Sequence, residues 1–82
     1  SNNFLTITME PRKLVIYDTP YKTIDETIDA IWDITEHEEI QCEQIAFTMA
    51  TKGHAVVKEG EFHDLEIIEE YMFLNGFDVK II

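Results

Sequence analysis

Apolar positions along this chain change period repeatedly, and each change marks an element. Lys13-Leu14-Val15-Ile16-Tyr17 is an unbroken β-branched and aromatic run, which predicts a buried strand. Ile24, Ile28, Ile31 and Trp32 then recur at i, i+4, i+7 and i+8, a helical stripe. Cys42, Ile45, Ala46 and Met49 repeat at i, i+3, i+4 and i+7 and predict a second helix. His54-Ala55-Val56-Val57 reads as a short strand, and Leu65, Ile68 and Met72, widened by Tyr71, as a third helix. Phe77-Asp78-Val79-Lys80-Ile81-Ile82 is the closing strand. The order β-α-α-β-α-β predicts one α+β domain: a three-stranded, mainly antiparallel sheet with helices packed on one face. Ile28, Trp32, Cys42, Met49, Leu65 and Met72 are expected to meet in its interior, with Trp32 and Tyr71 as aromatic anchors.

Local signals set the boundaries. Residues 1–11 read as an N-terminal extension, in which Leu5, Ile7 and Met9 alternate weakly enough to leave an edge strand open over Phe4 to Met9. Pro11 interrupts any continuation, so the domain is taken as residues 12–82. Asp18-Thr19-Pro20-Tyr21-Lys22 is turn chemistry, and Thr23 with Glu26 three residues on is a capping box. Glu36-His37-Glu38-Glu39 breaks the apolar pattern as a helix connection. Gly53 and Asn75-Gly76 are helix stops, and Lys58-Glu59-Gly60-Glu61 reads as a loop. The third helix starts somewhere between Glu61 and Asp64.

Six basic against seventeen acidic side chains give a net charge of −11 over 82 residues. A field of that sign repels phosphate backbones and anionic lipid, so nucleic-acid and membrane binding are not expected. It suits a basic protein partner, or simply solubility. The single cysteine, Cys42, excludes an internal disulfide framework and fits a cytoplasmic setting. Neither a membrane span nor a secretory leader is expected from the apolar runs.

Candidate chemistry is sparse. His37 lies among Glu36, Glu38 and Glu39, but near neighbours on a helix point in different directions. No spaced cysteine or histidine set is present, so neither a metal nor another cofactor is expected. Cys42 sits on an apolar stripe, where cysteine behaves as a small hydrophobe, and no phosphate-cradling glycine loop occurs. The chain reads as a non-enzyme. Two exposed features stay open. The turn at Asp18 offers a carboxylate beside an apolar edge formed by Ile24 and the second helix, unless Asp18 is only a turn former. The acidic helix faces suit a basic partner, including as a surface mimic that inhibits a nucleic-acid-binding protein.

Leu14-Val15-Ile16-Tyr17-Asp18-Thr19-Pro20-Tyr21-Lys22-Thr23-Ile24 resembles the strand, turn and first helix of the ClpS adaptor family. Ile28-Asp29, Lys52-Gly53-His54-Ala55-Val56-Val57, Tyr71 and Asn75-Gly76 continue the resemblance over roughly residues 12–82. It implies a fold similar to the C-terminal domain of the ribosomal stalk protein. It also implies binding to the N-terminal domain of a Clp-type ATPase and delivery of substrates with destabilising N-terminal residues. In such a site oxygens accept hydrogen bonds from the peptide's α-ammonium group, and an apolar hole takes its first side chain.

Position by position, the resemblance implies a reduced site. The family's turn Asn falls on Asp18, and its next two acids on Thr19 and Pro20, which supply no carboxylate. Its gate Met falls on Ile24 and its pocket His on Ala50. The loop after Val57 is about four residues shorter than the family's. The Glu-Thr-Lys signature that faces the ATPase becomes Phe62-His63-Asp64. The expected peptide site is therefore Asp18, Thr19, Ile24 and Ala50, a degraded N-degron pocket. The expected partner-facing residues are Glu59, Glu61, His63 and Asp64. A short, acidic, diverged adaptor of this kind would suit a phage or other mobile element.

Overall fold

The computed structural model of the chain describes residues 11–82. Strand β1 (Arg12–Tyr17) leads into α1 (Ile24–Ile34) and α2 (Glu39–Lys52). Then follow β2 (His54–Gly60), α3 (Phe62–Leu74) and β3 (Asp78–Ile81). This is the predicted order in an α+β domain. The sheet order is β2-β1-β3, and β1 pairs antiparallel with both neighbours. The edge strand left open at Phe4 to Met9 lies outside the described residues.

β1 buries Leu14, Val15 and Ile16 in a row, but of these only Leu14 and Ile16, two residues apart on one face, join the main core cluster. Leu14 and Ile16 point inward and join Ala55 and Val57 of β2, with Val79 and Ile81 of β3 packed against the same cluster. Ile31, Cys42, Ile45, Met49, Leu65, Ile68 and Met72 complete that interior from the three helices. Every large side chain in it loses its apolar surface to water-free contact, worth about 1.5–3 kcal/mol each before the entropy of ordering.

The caps follow the sequence signals. The Thr23 hydroxyl accepts from the Glu26 N–H at 3.0 Å, and the Glu26 carboxylate accepts from the Thr23 N–H at 2.9 Å. Gly53 ends α2 with φ +90°, a conformation that glycine adopts without a Cβ clash. Gly76 has φ +87° and sits against the Lys22 side chain, whose Cε lies 3.1 Å from where a Cβ would be.

Three expectations need correction. Trp32 is 55% exposed and does not anchor the core. The buried face of α1 is instead Thr27, Ala30 and Ile31, with Ile28 only half-buried. The Thr27 hydroxyl donates to the Thr23 carbonyl at 2.9 Å, so its polar atom is satisfied and its methyl can face inward. Second, residues 58–60 are strand rather than loop, because β2 pairs through Lys58, Glu59 and Gly60 with Leu14, Lys13 and Arg12. An extra residue makes this register work: Val56 faces Val15 and Lys58 faces Leu14, which leaves Val57 as the bulged residue. Third, Tyr71 flanks the core half-buried rather than anchoring it.

The bulge is held from outside the sheet. Residues 35–38 join α1 to α2, and His37 Nε2 lies 2.6 Å from the Val57 carbonyl oxygen. A carbonyl only accepts, so Nε2 carries the donated proton. One side chain thus ties the helix connection to the strand residue that has no partner in the ladder.

Candidate functional site

Two groups of residues expected to act lie at opposite ends of the strands. At one end β1 leaves the sheet, and the Asp18 N–H donates to the Gly53 carbonyl at 2.9 Å. That bond joins the β1–α1 turn to the end of α2. The short α1–α2 connection makes a helical hairpin, so the start of α1 is also brought to the end of α2. Asp18, Thr19, Ile24 and Ala50 therefore sit on elements that converge at the hairpin's open end.

Each of them is occupied differently. Asp18 is exposed, and its Oδ1 accepts from the Thr19 N–H at 3.0 Å. The Thr19 hydroxyl accepts from the Tyr21 N–H at 3.3 Å, and the Thr19 carbonyl accepts from the Lys22 N–H at 3.5 Å, which closes the turn around Pro20. Ile24 is half-exposed in the first turn of α1, and Ala50 is exposed in the last turn of α2. Chemically this end offers one free carboxylate edge, a hydroxyl already used in its own turn, and a modest apolar ledge. Tyr21, 85% exposed beside them, was given no role by the sequence; its only signal was an aromatic within turn residues.

The other end is the junction of β2 with α3. Glu59 lies 3.9 Å from Lys13 Nζ across the strands, an exposed pair that contributes little to stability. Glu61 immediately precedes α3 without a side-chain cap. His63 Nδ1 meets Glu66 Oε1 at 3.3 Å, and Asp64 stands exposed in the first turn, where the helix dipole favours an acid. Phe62, the residue that opens α3, was not expected to act, yet the Arg12 guanidinium lies 5.5 Å from its ring centroid. That cation–π contact and the Arg12 Nε donation to the Ile82 carbonyl at 3.2 Å bring a cation back to this end from β1. About six strand residues separate the two ends, or roughly 20 Å.

Charge is segregated between the layers. Among the described residues the helices carry ten acids and, of lysines and arginines, only Lys52, whereas the strands carry Arg12, Lys13, Lys58 and Lys80 against two acids. The capping box holds the Glu26 carboxyl below the usual glutamate range, chiefly through the Thr23 backbone and side-chain hydrogen bonds. Burial pushes the Cys42 thiol up, away from the reactive thiolate. Among the described residues no group of three or more His, Cys, Asp or Glu side chains could hold a metal ion. No helix of the described residues is long and apolar enough to cross a membrane.

No family model matches this chain, and no curated protein matches it in sequence. Its three-dimensional structure does have a counterpart. The structure of Agrobacterium tumefaciens ClpS2 bound to L-phenylalaninamide superimposes with a TM-score of 0.73, covering 88% of this chain and 92% of that one at 18% identity. The fold is ClpS-like, with the element order and sheet that the sequence predicted.

Proposed function

We propose that the protein is a non-catalytic, ClpS-like interaction module that binds the N-terminal domain of a Clp-type ATPase and modulates substrate delivery. The observation that carries this reading is the superposition on ClpS2 over nearly the whole of both chains. The β2–α3 junction, with Glu59, Glu61, His63 and Asp64, is the surface we assign to the ATPase. Its chemistry differs from the family pattern in replacing a lysine by Asp64, with Arg12 over Phe62 as the nearby cation. The partner's contact is therefore re-tuned in charge.

The peptide end is the weaker half. ClpS2 was captured with L-phenylalaninamide, a ligand with a free ammonium group and a benzyl side chain. Here Asp18 alone supplies a carboxylate, Thr19 is spent on its own turn, and Ala50 brings no hydrogen-bonding side chain. Charge-assisted bonds to an ammonium contribute about 1.5–3 kcal/mol each, so losing acceptors lowers affinity steeply.

Isothermal titration of the chain with a Clp ATPase N-domain tests the first half. Saturable heat, and displacement of a bona fide adaptor, are expected; no heat and no competition would remove the proposal. Fluorescence anisotropy with peptides beginning Leu, Phe, Tyr or Trp tests the second. Weak or absent binding is expected, and tight binding abolished by Asp18→Ala would show the site to be intact.

A further inference from the structure

Helix α3 carries more apolar surface than the fold uses. Leu65, Ile68 and Met72 are buried, yet Ile67 and Leu74 are 66% and 72% exposed. These two lie seven residues apart on one line of the helix, about 10 Å along its axis. Half-buried Tyr71 falls between them, giving the alternating four- and three-residue spacing of a helix-docking seam.

Tyr71 also opens onto a cleft of about 240 Å³ between α1 and α3. Its α1 wall presents Glu26, Asp29 and Asp33, and the opposite wall presents Tyr71 of α3 and Asn75 just past the end of that helix. Glu70 projects next to the seam on the other side, three residues from Ile67 and four from Leu74. Neither α1 nor α3 contains a lysine or arginine. Among the described residues the one cation lining the cleft, Lys22, is already placed over the Phe77 ring, 4.8 Å from its centroid.

We infer that this face is a docking site for a basic amphipathic helical segment of another protein. Its apolar residues would cover Ile67, Tyr71 and Leu74, and its lysines or arginines would face Asp29, Asp33 and Glu70. Charge complementarity selects the occupant: an apolar seam walled by carboxylates, with no lysine or arginine on either helix, repels an acidic or self-identical helix and accepts a cationic one. The surface is distinct from both the turn at Asp18 and the β2–α3 junction, and it does not depend on an ATPase partner.

The test uses the whole chain and a fluorescein-labelled synthetic peptide of about 18 residues, with leucines in alternating three- and four-residue spacing and lysines elsewhere. Anisotropy should show saturable binding, weakened about tenfold or more by Ile67→Ser with Leu74→Ser, which leave the charge unchanged. Asp29→Asn with Asp33→Asn should weaken binding and flatten its salt dependence. Equal binding of a scrambled peptide of the same composition, or no loss in the serine variant, overturns the proposal. So does concentration-dependent dimerisation that the serine variant abolishes, which would give the face to a second copy. Should a variant unfold by circular dichroism, amide shift mapping on the wild-type chain decides. Shifts along α1 and α3 support the site, and shifts confined elsewhere overturn it.

Discussion

Val57 is buried on the inside of β2 while its backbone falls out of register with β1, and His37 supplies the donor that its carbonyl takes. Removing that donor leaves a carbonyl short of its partner, a loss of about 1–3 kcal/mol. His37→Ala should therefore lower the urea midpoint by that amount, more than a surface substitution would, and a change within error contradicts the strap. Thr23→Ala should cost about 1 kcal/mol through the lost N-cap. The same change should raise the Glu26 titration midpoint, read by carboxyl NMR, only part of the way towards the ordinary glutamate value, because the Thr23 backbone N–H that chiefly lowers it is kept. Because folding depresses that midpoint, the stabilisation from Glu26 is present above the unfolded value and fades as pH falls through the folded one. The capping box could be read from Thr23 and Glu26 because both partners are three residues apart in sequence. The His37–Val57 contact could not, because it spans twenty residues and serves a bulge that no local pattern announces.

Helix α1 formed as the sequence predicted but sits turned about a quarter turn from the expected face. Counting large apolar residues selects Ile24, Ile28, Ile31 and Trp32, whereas packing buries Thr27, Ala30 and Ile31, so Ile31 alone is shared by the two faces. Small and self-bonded side chains at 27 and 30 let α1 pack closely, and a hydropathy count gives such positions no weight. Ile31→Ala should therefore cost about 2–5 kcal/mol in denaturant unfolding. Trp32→Ser should stay within about 0.5 kcal/mol of the parent. Equal losses at the two positions would restore the original stripe. In β2 the misplaced boundary has a similar origin. Lys58, Glu59 and Gly60 look like loop residues, yet edge strands carry charge where they meet water, and their backbone is claimed by β1.

At the scale of the whole molecule, element order was the most legible property. Each switch between helical and strand period survived in the structure, and few topologies bury three helices on so short a sheet. The sites were less legible. The resemblance named Asp18, Thr19, Ile24 and Ala50, and the fold brings their elements to one end. Tyr21 was marked only as an aromatic in a turn and Phe62 only by its place in the altered signature, while Arg12 carried no signal. The contact of Arg12 with Phe62 joins positions fifty residues apart. Under the proposed function, two ends about 20 Å apart mean that partner docking and peptide capture can fail separately. On that reading, a ClpS-like frame with fewer acceptors at Asp18's end should still dock.

Amide shift mapping of the isotope-labelled chain during titration with a Clp ATPase N-domain tests that statement most directly. Saturable shifts centred on Glu59 to Asp64 are expected, with Asp18 and Ile24 nearly unmoved. An unchanged spectrum at saturating N-domain, or shifts centred on the turn at Asp18 instead, would contradict it.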